Sequence, residues 1–221
     1  MEVEVKLRLT KEAQIHDLER ALGSPPFAID EQENFFFDGL HGELFNPIRL
    51  KMRSVFRVRT IRRTVNVAWA SYHAGDNEYF ATITLKVDTT LENGIFEGTE
   101  LEERCELSLA EEIISNPTSI PALAARHSLL KTIVDRCSCP DSYHLIGSFR
   151  TVRRKYRFLE DYELEVDTTH YSWGQAFEIE LESSEPEKAK RDLWAHGIAY
   201  SESKRNKASD TISWNVSDTL K

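Results

Sequence analysis

The sequence predicts an α+β fold: an antiparallel sheet of about eight strands closed into a barrel, with a charged lumen and helices packed outside. Three observations lead there. Read as a strand, the first residues put Glu2, Glu4, Lys6 and Arg8 on one face and Val3, Val5, Leu7 and Leu9 on the other. Later stretches repeat the split with charges of mostly one sign: Arg57 and Arg59 beside Phe56 and Val58, Glu100 and Glu102 about Leu101, Glu163, Glu165 and Asp167 about Leu164 and Val166, and Glu178, Glu180 and Glu182 about Ile179 and Leu181. Helical stretches stand at the joints, where they can cover the apolar faces. One charged strand face alone is ordinarily just solvated. Like charges directly across strands destabilise a sheet, so acids and bases segregated strand by strand mark a site.

The elements follow in order. Thr10 is the expected N-cap of a helix over Lys11 to Leu22, whose Ala13, Ile15, Leu18, Ala21 and Leu22 have helical spacing. Gly23, Pro25 and Pro26 stop it. Strands are expected at Glu33 to Asp38, where Phe35 to Phe37 read as core, then at Arg49 to Met52 and Ser54 to Thr60, with turns at Asp38-Gly39 and Asn46-Pro47. Val65 to Trp69 reads as a strand extension and Ala74 to Asn77 as a loop tip. Tyr79 to Val87 alternates cleanly, Asn93-Gly94 is a turn, and Thr99 to Leu107 returns as a strand. Ser108 is expected to cap a short helix to Ser115, and Pro121 to Arg136 reads as one helix. Strands near 143–158, 161–168 and 175–183 come next. Ser184 to Glu187 forms a capping box for a helix that Gly197 ends, and the tail from Ser203 to Trp214 is helical or irregular. With no repeat or Gly/Ser linker, one domain is expected over residues 1–221.

The chain has 221 residues, 40% hydrophobic and 29% charged, as a soluble globular protein does. No stretch approaches the ~20 apolar residues of a membrane span. The acidic, strand-like start is unlike a signal or transit peptide, so a cytoplasmic location is expected. Cys105, Cys137 and Cys139 form no zinc-ligand pattern and read as free thiols, which leaves the acceptor-like Asn215-Val216-Ser217 idle. A net charge of −9 argues against general nucleic-acid binding but allows one small polyanion in a basic pocket.

Glu2-x-Glu4-x-Lys6 at the start, then Arg57-x-Arg59, Lys86, Glu100-x-Glu102, Arg153, Asp167 and Glu180-x-Glu182, resembles the CYTH superfamily, the triphosphate tunnel metalloenzymes. The resemblance runs from residue 2 to about residue 207, and the chain looks most like the plant-type tripolyphosphatases, relatives of thiamine triphosphatase. It implies an eight-stranded antiparallel tunnel acting on a linear triphosphate. Carried over by position, Lys6, Arg8, Arg57, Arg59, Lys86 and Arg153 would hold phosphate oxygens, joined by Lys207, with Lys204 as its competitor. Glu2, Glu4, Glu100, Glu102, Asp167, Glu180 and Glu182 would bind Mg²⁺ or Mn²⁺ or orient water, the first four as catalytic groups. The physics agrees. A triphosphate carries about four or five charges and needs several cations, for which Arg offers a fork and Lys a point charge. Mg²⁺ takes oxygen ligands and is shared between carboxylates and substrate phosphates. Seven carboxylates in one lumen should also perturb one another's ionisation.

The resemblance thus implies a metal-dependent triphosphatase, a hydrolase acting on inorganic triphosphate or a small organic triphosphate; a monomer is expected. Three alternatives stand: thiamine triphosphatase, adenylate cyclase chemistry in the same fold, and a polyphosphate-binding module without turnover. The many carboxylates weigh against the last. Departures from the family pattern are Asp88, Arg104 and Glu178, the last expected to be solvated at the tunnel mouth. The seven histidines have no ligand spacing, and no nucleophile-elbow sequence supports Ser/His/Asp hydrolysis. Trp173 reads as turn packing before a base-stacking platform, and Arg150 to Arg157 as a tunnel wall with solvated outer charges before a nucleic-acid patch.

Overall fold

The computed structural model describes residues 2–44, 54–65, 77–136, 142–159 and 162–212. The expectations at Arg49 to Met52, Asn46-Pro47, 66–69, 74–76, Cys137, Cys139, His73 and 213–217 lie outside them.

Eight antiparallel strands form a closed barrel: β1 (Glu2–Leu9), β2 (Ala28–Gly39), β3 (Ser54–Val65), β4 (Glu78–Glu92), β5 (Ile95–Cys105), β6 (Tyr143–Phe158), β7 (Tyr162–Tyr171) and β8 (Gly174–Glu182). Around the wall the order is β5-β4-β3-β2-β6-β7-β8-β1, and pairing of β1 with β5 closes it. β1 shares that edge. Its residues 2–5 pair with β5, while Leu7 and Arg8 pair with a two-residue ninth strand, β9 (Ser201–Glu202). The Asn93-Gly94 turn has positive φ at both residues, 51° and 71°, as a tight hairpin turn requires. Gly94 also accepts a hydrogen bond from the Lys6 amide at 2.7 Å, and a Cβ there would lie 2.9 Å from the Lys6 carbonyl oxygen. Glycine at this turn therefore lets the β4–β5 hairpin close against β1.

The apolar faces point outward, under the helices. Val5 and Leu7 pack with Leu164, Val166, Ile179 and Leu181 beneath α1 (Ala13–Leu22) and α5 (Pro186–Ala195). Phe37, Phe56, Val58, Ile83 and Leu85 lie beneath α2 (Leu107–Ser115), α3 (Ile120–Ala124) and α4 (Ser128–Arg136). A third cluster, including Phe36, Val55, Phe149, Ala208 and Ile212, packs together apart from these two. Burying a large apolar side chain contributes about 1.5–3 kcal/mol, so this outer packing holds the charged faces inward.

Several local expectations need correction. β2 begins at Ala28, ahead of the Glu33 expected, because β3 and β6 both pair with it along its length. Thr10 caps no helix: its hydroxyl and amide both donate to the Gln14 side chain, at 2.8 and 2.7 Å, and Glu12 flanks α1 instead. Glu106 flanks α2, which leaves Ser108 inside that helix. The single helix expected over Pro121 to Arg136 is broken. A 3-10 turn (Pro117–Ser119) leads into α3, and a bond from the Arg126 amide to the Leu123 carbonyl closes α3 before α4 begins. Pro121 opens a helix, where its missing N–H costs nothing. The capping box at Ser184 to Glu187 does not form. Pro186 sets the first turn one residue late, and the Ser183 hydroxyl accepts the Glu185 amide at 3.0 Å. Gly197, at φ 77°, lies just past α5 as expected.

Candidate active site in the barrel lumen

The inward faces enclose a cavity of about 740 Å³. On β1, Glu4 and Lys6 are both buried. Lys6 Nζ lies 2.7 Å from Glu4 and 2.9 Å from Glu180 on β8. Arg153 on β6 forks onto Asp167 on β7 with bonds of 2.8 and 2.7 Å. It also reaches Glu180 at 2.5 Å and pairs with Glu165. Lys207 Nζ, from the helical stretch at 207–212, lies 2.6 Å from both Asp167 and Glu180. Burial works against charge on these acids. Arg153 and Lys207 nonetheless hold Asp167 below the usual carboxylate range, and Lys207, Lys6 and Arg153 hold Glu180 well below it. Glu4 goes the other way: burial raises it despite Lys6, helped by the charge on Glu180. Oxygens of Glu4, Glu165 and Glu180 all lie within 4.8 Å of one another.

The opposite wall comes from β3, β4 and β5. Arg57 Nη2 donates to Thr84 at 3.1 Å, Glu100 at 3.1 Å and Glu102 at 3.2 Å. The Thr84 hydroxyl donates to Glu102 at 2.7 Å. Lys86 pairs with Glu100 and lies 3.7 Å from Glu2. Glu2 and Glu100, both beside Lys86, ionise far apart. Burial, with the neighbouring Glu100 carboxyl, raises Glu2 to about 7. At Glu100 burial is outweighed by Arg57 and Lys86, which hold it at about 2. Arg59 donates to Asn34 at 2.8 Å, and among the described residues no carboxylate lies within ion-pair distance of it. Burial and the neighbouring Arg57 and Arg153 lower it to about 10. Phe96 floors the gap between the walls, with Lys6 and Lys86 5.2 and 4.9 Å from its ring centre.

Of the residues singled out in the sequence, Glu2, Glu4, Lys6, Arg57, Arg59, Lys86, Glu100, Glu102, Arg153, Asp167, Glu180, Glu182 and Lys207 all line this cavity. Glu182 is exposed and outside the three-carboxylate group. Lys204 is exposed and off the cavity, whereas Lys207 lines it. Arg8 is a correction: it does not line the cavity but pairs with Glu178 and Asp210, at 3.2 Å each. Glu178 is another. It is 1% exposed rather than solvated, because Arg8, Lys207 and the Ser203 hydroxyl all converge on it. Asp88 sits exposed at a β-bulge with φ 52°, off the cavity. Arg104 lines the cavity, pairs with Glu78 at 2.6 Å and stacks over Phe80 at 4.2 Å.

Glu165 and Lys155 also line the lumen, 2.9 Å apart. The sequence does carry their signal: Glu165 shares strand parity with Asp167, and Lys155 with Arg153. Arg150 and Arg157 are the exposed charges of β6, paired with Glu31 and Glu163. Trp173 stacks on Tyr171 at the β7–β8 turn, with centroids 4.7 Å apart, in the packing role. None of the described histidines lines the cavity.

No helix among the described residues is long and apolar enough to cross a membrane. Among solved structures, the chain is similar to a Hippeastrum protein, HpAC1, described as revealing a dominant triphosphatase activity. The two are 29% identical over 95% of this chain and 94% of that one, with a TM-score of 0.78. A candidate adenylate cyclase of Bacillus halodurans shares the fold at 19% identity over 95% and 96% of the chains, with a TM-score of 0.64. PH1819 of Pyrococcus horikoshii does so at 14% identity over 99% of each chain, with a TM-score of 0.58. No curated protein sequence matches. The sequence pattern of the CYTH domain matches residues 1–211, and with the closed barrel and its charged lumen this shows that the chain belongs to the CYTH domain family.

Proposed function

We propose that this chain hydrolyses the terminal phosphate of inorganic triphosphate, or of a small organic triphosphate, with Mg²⁺ or Mn²⁺. One observation carries the reading: three convergent carboxylates, Glu4, Glu165 and Glu180, share a cavity with Lys6, Arg57, Arg59, Lys86, Arg153 and Lys207. The donor set fits a hard divalent cation, which takes carboxylate oxygens and leaves positions for phosphate. Glu4, Glu165 and Glu180 would hold it, with Glu2, Glu100, Glu102, Asp167 and Glu182 as further oxygen donors. When bound, the cation supplies positive charge to the phosphate oxygens.

The chain's own residues supply the rest. Arg59, with no carboxylate within ion-pair distance among the described residues, is ready to take a phosphate oxygen. Lys6, Arg57, Lys86, Arg153 and Lys207 exchange carboxylate contacts for phosphate ones, which keeps each buried cation paired. Such transfer is mainly positioning and charge stabilisation. Glu2, raised by burial and outside the Glu4, Glu165 and Glu180 group, is the lumen carboxylate suited to taking a proton from the attacking water. Every residue named comes from one barrel, so one copy of the chain suffices.

The test is product release from inorganic triphosphate, thiamine triphosphate and ATP, each with Mg²⁺, with Mn²⁺ and with excess chelator. Phosphate release that stops in chelator supports the reading. Undiminished release in chelator would remove the role given to the carboxylates. Pyrophosphate with a cyclic nucleotide would put cyclase chemistry in its place, and tight binding of triphosphate without any product would leave a binding module.

A further inference from the structure

Arg8 behaves differently from Glu4 and Lys6, although all three share one strand face. It pairs in register with Glu178 on β8, and its Nη2 lies 3.2 Å from Glu178 and 3.2 Å from Asp210. Both Glu178 oxygens face a cation, although Oε2 accepts no hydrogen bond. Oε1 faces Arg8 and accepts the Ser203 hydroxyl at 3.2 Å, while Oε2 lies 3.3 Å from Lys207 Nζ. Two strand neighbours thus grip two residues of one helical turn: Arg8 takes Asp210 and Glu178 takes Lys207. Lys207 and Asp210 are three apart, the spacing that sets side chains on one helix face. Asn206 begins that turn by accepting the Ser209 amide on its side-chain oxygen at 2.8 Å, in the manner of an N-cap.

We propose that Arg8, with Glu178 and Asp210, is a positioning clamp that sets Lys207 against Asp167 and Glu180, and that Arg8 binds no phosphate itself. The inference rests on the lumen being a triphosphate site. The physical need is plain. Lys207 sits on a flexible four-carbon stem outside the barrel sheet, so its ammonium is placed only as well as the backbone beneath it is held. Drawing Arg8 into the lumen would also strip a partner from Glu178, a carboxylate with almost no exposure to water.

Two measurements test it. The first needs no substrate: amide hydrogen exchange across residues 203–212 in wild type, Arg8→Met and Asp210→Asn, with intact unfolding transitions as the check on folding. The clamp predicts faster exchange in both variants. Asp210→Asn substitutes no barrel residue and stands as the second variant should Arg8→Met fold poorly. Because Asp210 Oδ1 also lies 3.2 Å from Arg205 Nε, Arg205→Met is run beside it, and exchange as fast in Arg205→Met as in Asp210→Asn would assign the effect to Arg205 and overturn the clamp. Unchanged exchange would overturn the clamp. The second is a double-mutant cycle with Lys207→Met, reading the affinity for inorganic triphosphate by calorimetry. Arg8→Met should weaken binding about five- to twentyfold when Lys207 is present and less than about twofold when it is absent. Equal losses in both backgrounds would make Arg8 a direct phosphate ligand and overturn the proposal. Wild type that binds no triphosphate would instead overturn the functional reading, while the exchange result still judges the clamp.

Discussion

The two walls of the lumen solve the same problem differently. On the wall made by β1, β6, β7 and β8 with the helical turn at 207–212, Glu165, Asp167, Glu178 and Glu180 each have two or three basic partners, Glu4 pairs with Lys6, and Asp167 is 0% exposed. Across the gap, on β3, β4 and β5, Glu102 is exposed and Arg59 donates to the Asn34 amide with no carboxylate within ion-pair distance among the described residues, while Glu2, on β1 but facing Lys86 and Glu100 of this side, is raised to about 7. The first wall is a closed network whose members depend on one another. The second keeps ionisation and pairing in reserve, as a surface that must accept a polyanion would.

The largest expected effect would come from breaking the closed wall. Asp167→Ala leaves Arg153 and Lys207 buried with one acid fewer between them, and should cost about 3–5 kcal/mol of stability in urea unfolding. Glu102→Ala on the open wall should cost less than about 1 kcal/mol. Equal costs would erase the distinction between the walls.

Next in size is Arg59→Met. Losing a charge-assisted contact should weaken triphosphate binding by about 1.5–3 kcal/mol by calorimetry. Removing the guanidinium also takes the donor from the buried Asn34 oxygen, so stability should fall by about 1–3 kcal/mol. Triphosphate affinity equal to wild type in a folded Arg59→Met would remove the phosphate role.

A comparison on β1 separates binding from turnover. Lys6→Ala should weaken triphosphate binding by a similar amount, about 1.5–3 kcal/mol. Glu4→Gln keeps the size and lowers the charge, so its loss should fall mainly on kcat at saturating Mg²⁺. Normal turnover in Glu4→Gln would leave the N-terminal acids without a chemical role.

The smallest effect concerns Glu2. Its folded pKa, about 7, lies above the unfolded value of 4.5, so its protonated form favours the fold at low pH. That contribution is fully present below 4.5 and is lost as pH rises through about 7. Glu2→Gln cannot ionise, so relative to wild type it should gain stability across that window in unfolding titrations with chelator. A difference that does not vary with pH would place the raised ionisation elsewhere.

Which side chains face the lumen was legible because strand side chains alternate strictly, and mixed charge on a buried face has few other uses. That reading found Lys6, Arg57, Lys86, Glu100 and Glu180. It could not find depth along the barrel axis. Lys6 and Arg8 have the same parity, yet one lines the cavity and the other clamps the C-terminal turn, because β1 changes partner from β5 to β9 between them. Glu165 was passed over for Asp167 for the same reason: parity is shared, and only the register of Glu165 with Glu180 brings it to the carboxylate group. Cap and helix breaks failed where a side chain found another partner, as Thr10 did in Gln14.

By itself, then, the sequence determined most of the strands, their inward and outward faces and the charges each carries inward, since these depend on neighbours two to four residues apart. Only the tertiary structure decided which acids meet which bases. Lys207 reaches Asp167 and Glu180 across 40 and 27 residues, and Lys6 reaches Glu180 across 174. Contacts that distant depend on barrel closure and strand register, which no local pattern of residues encodes.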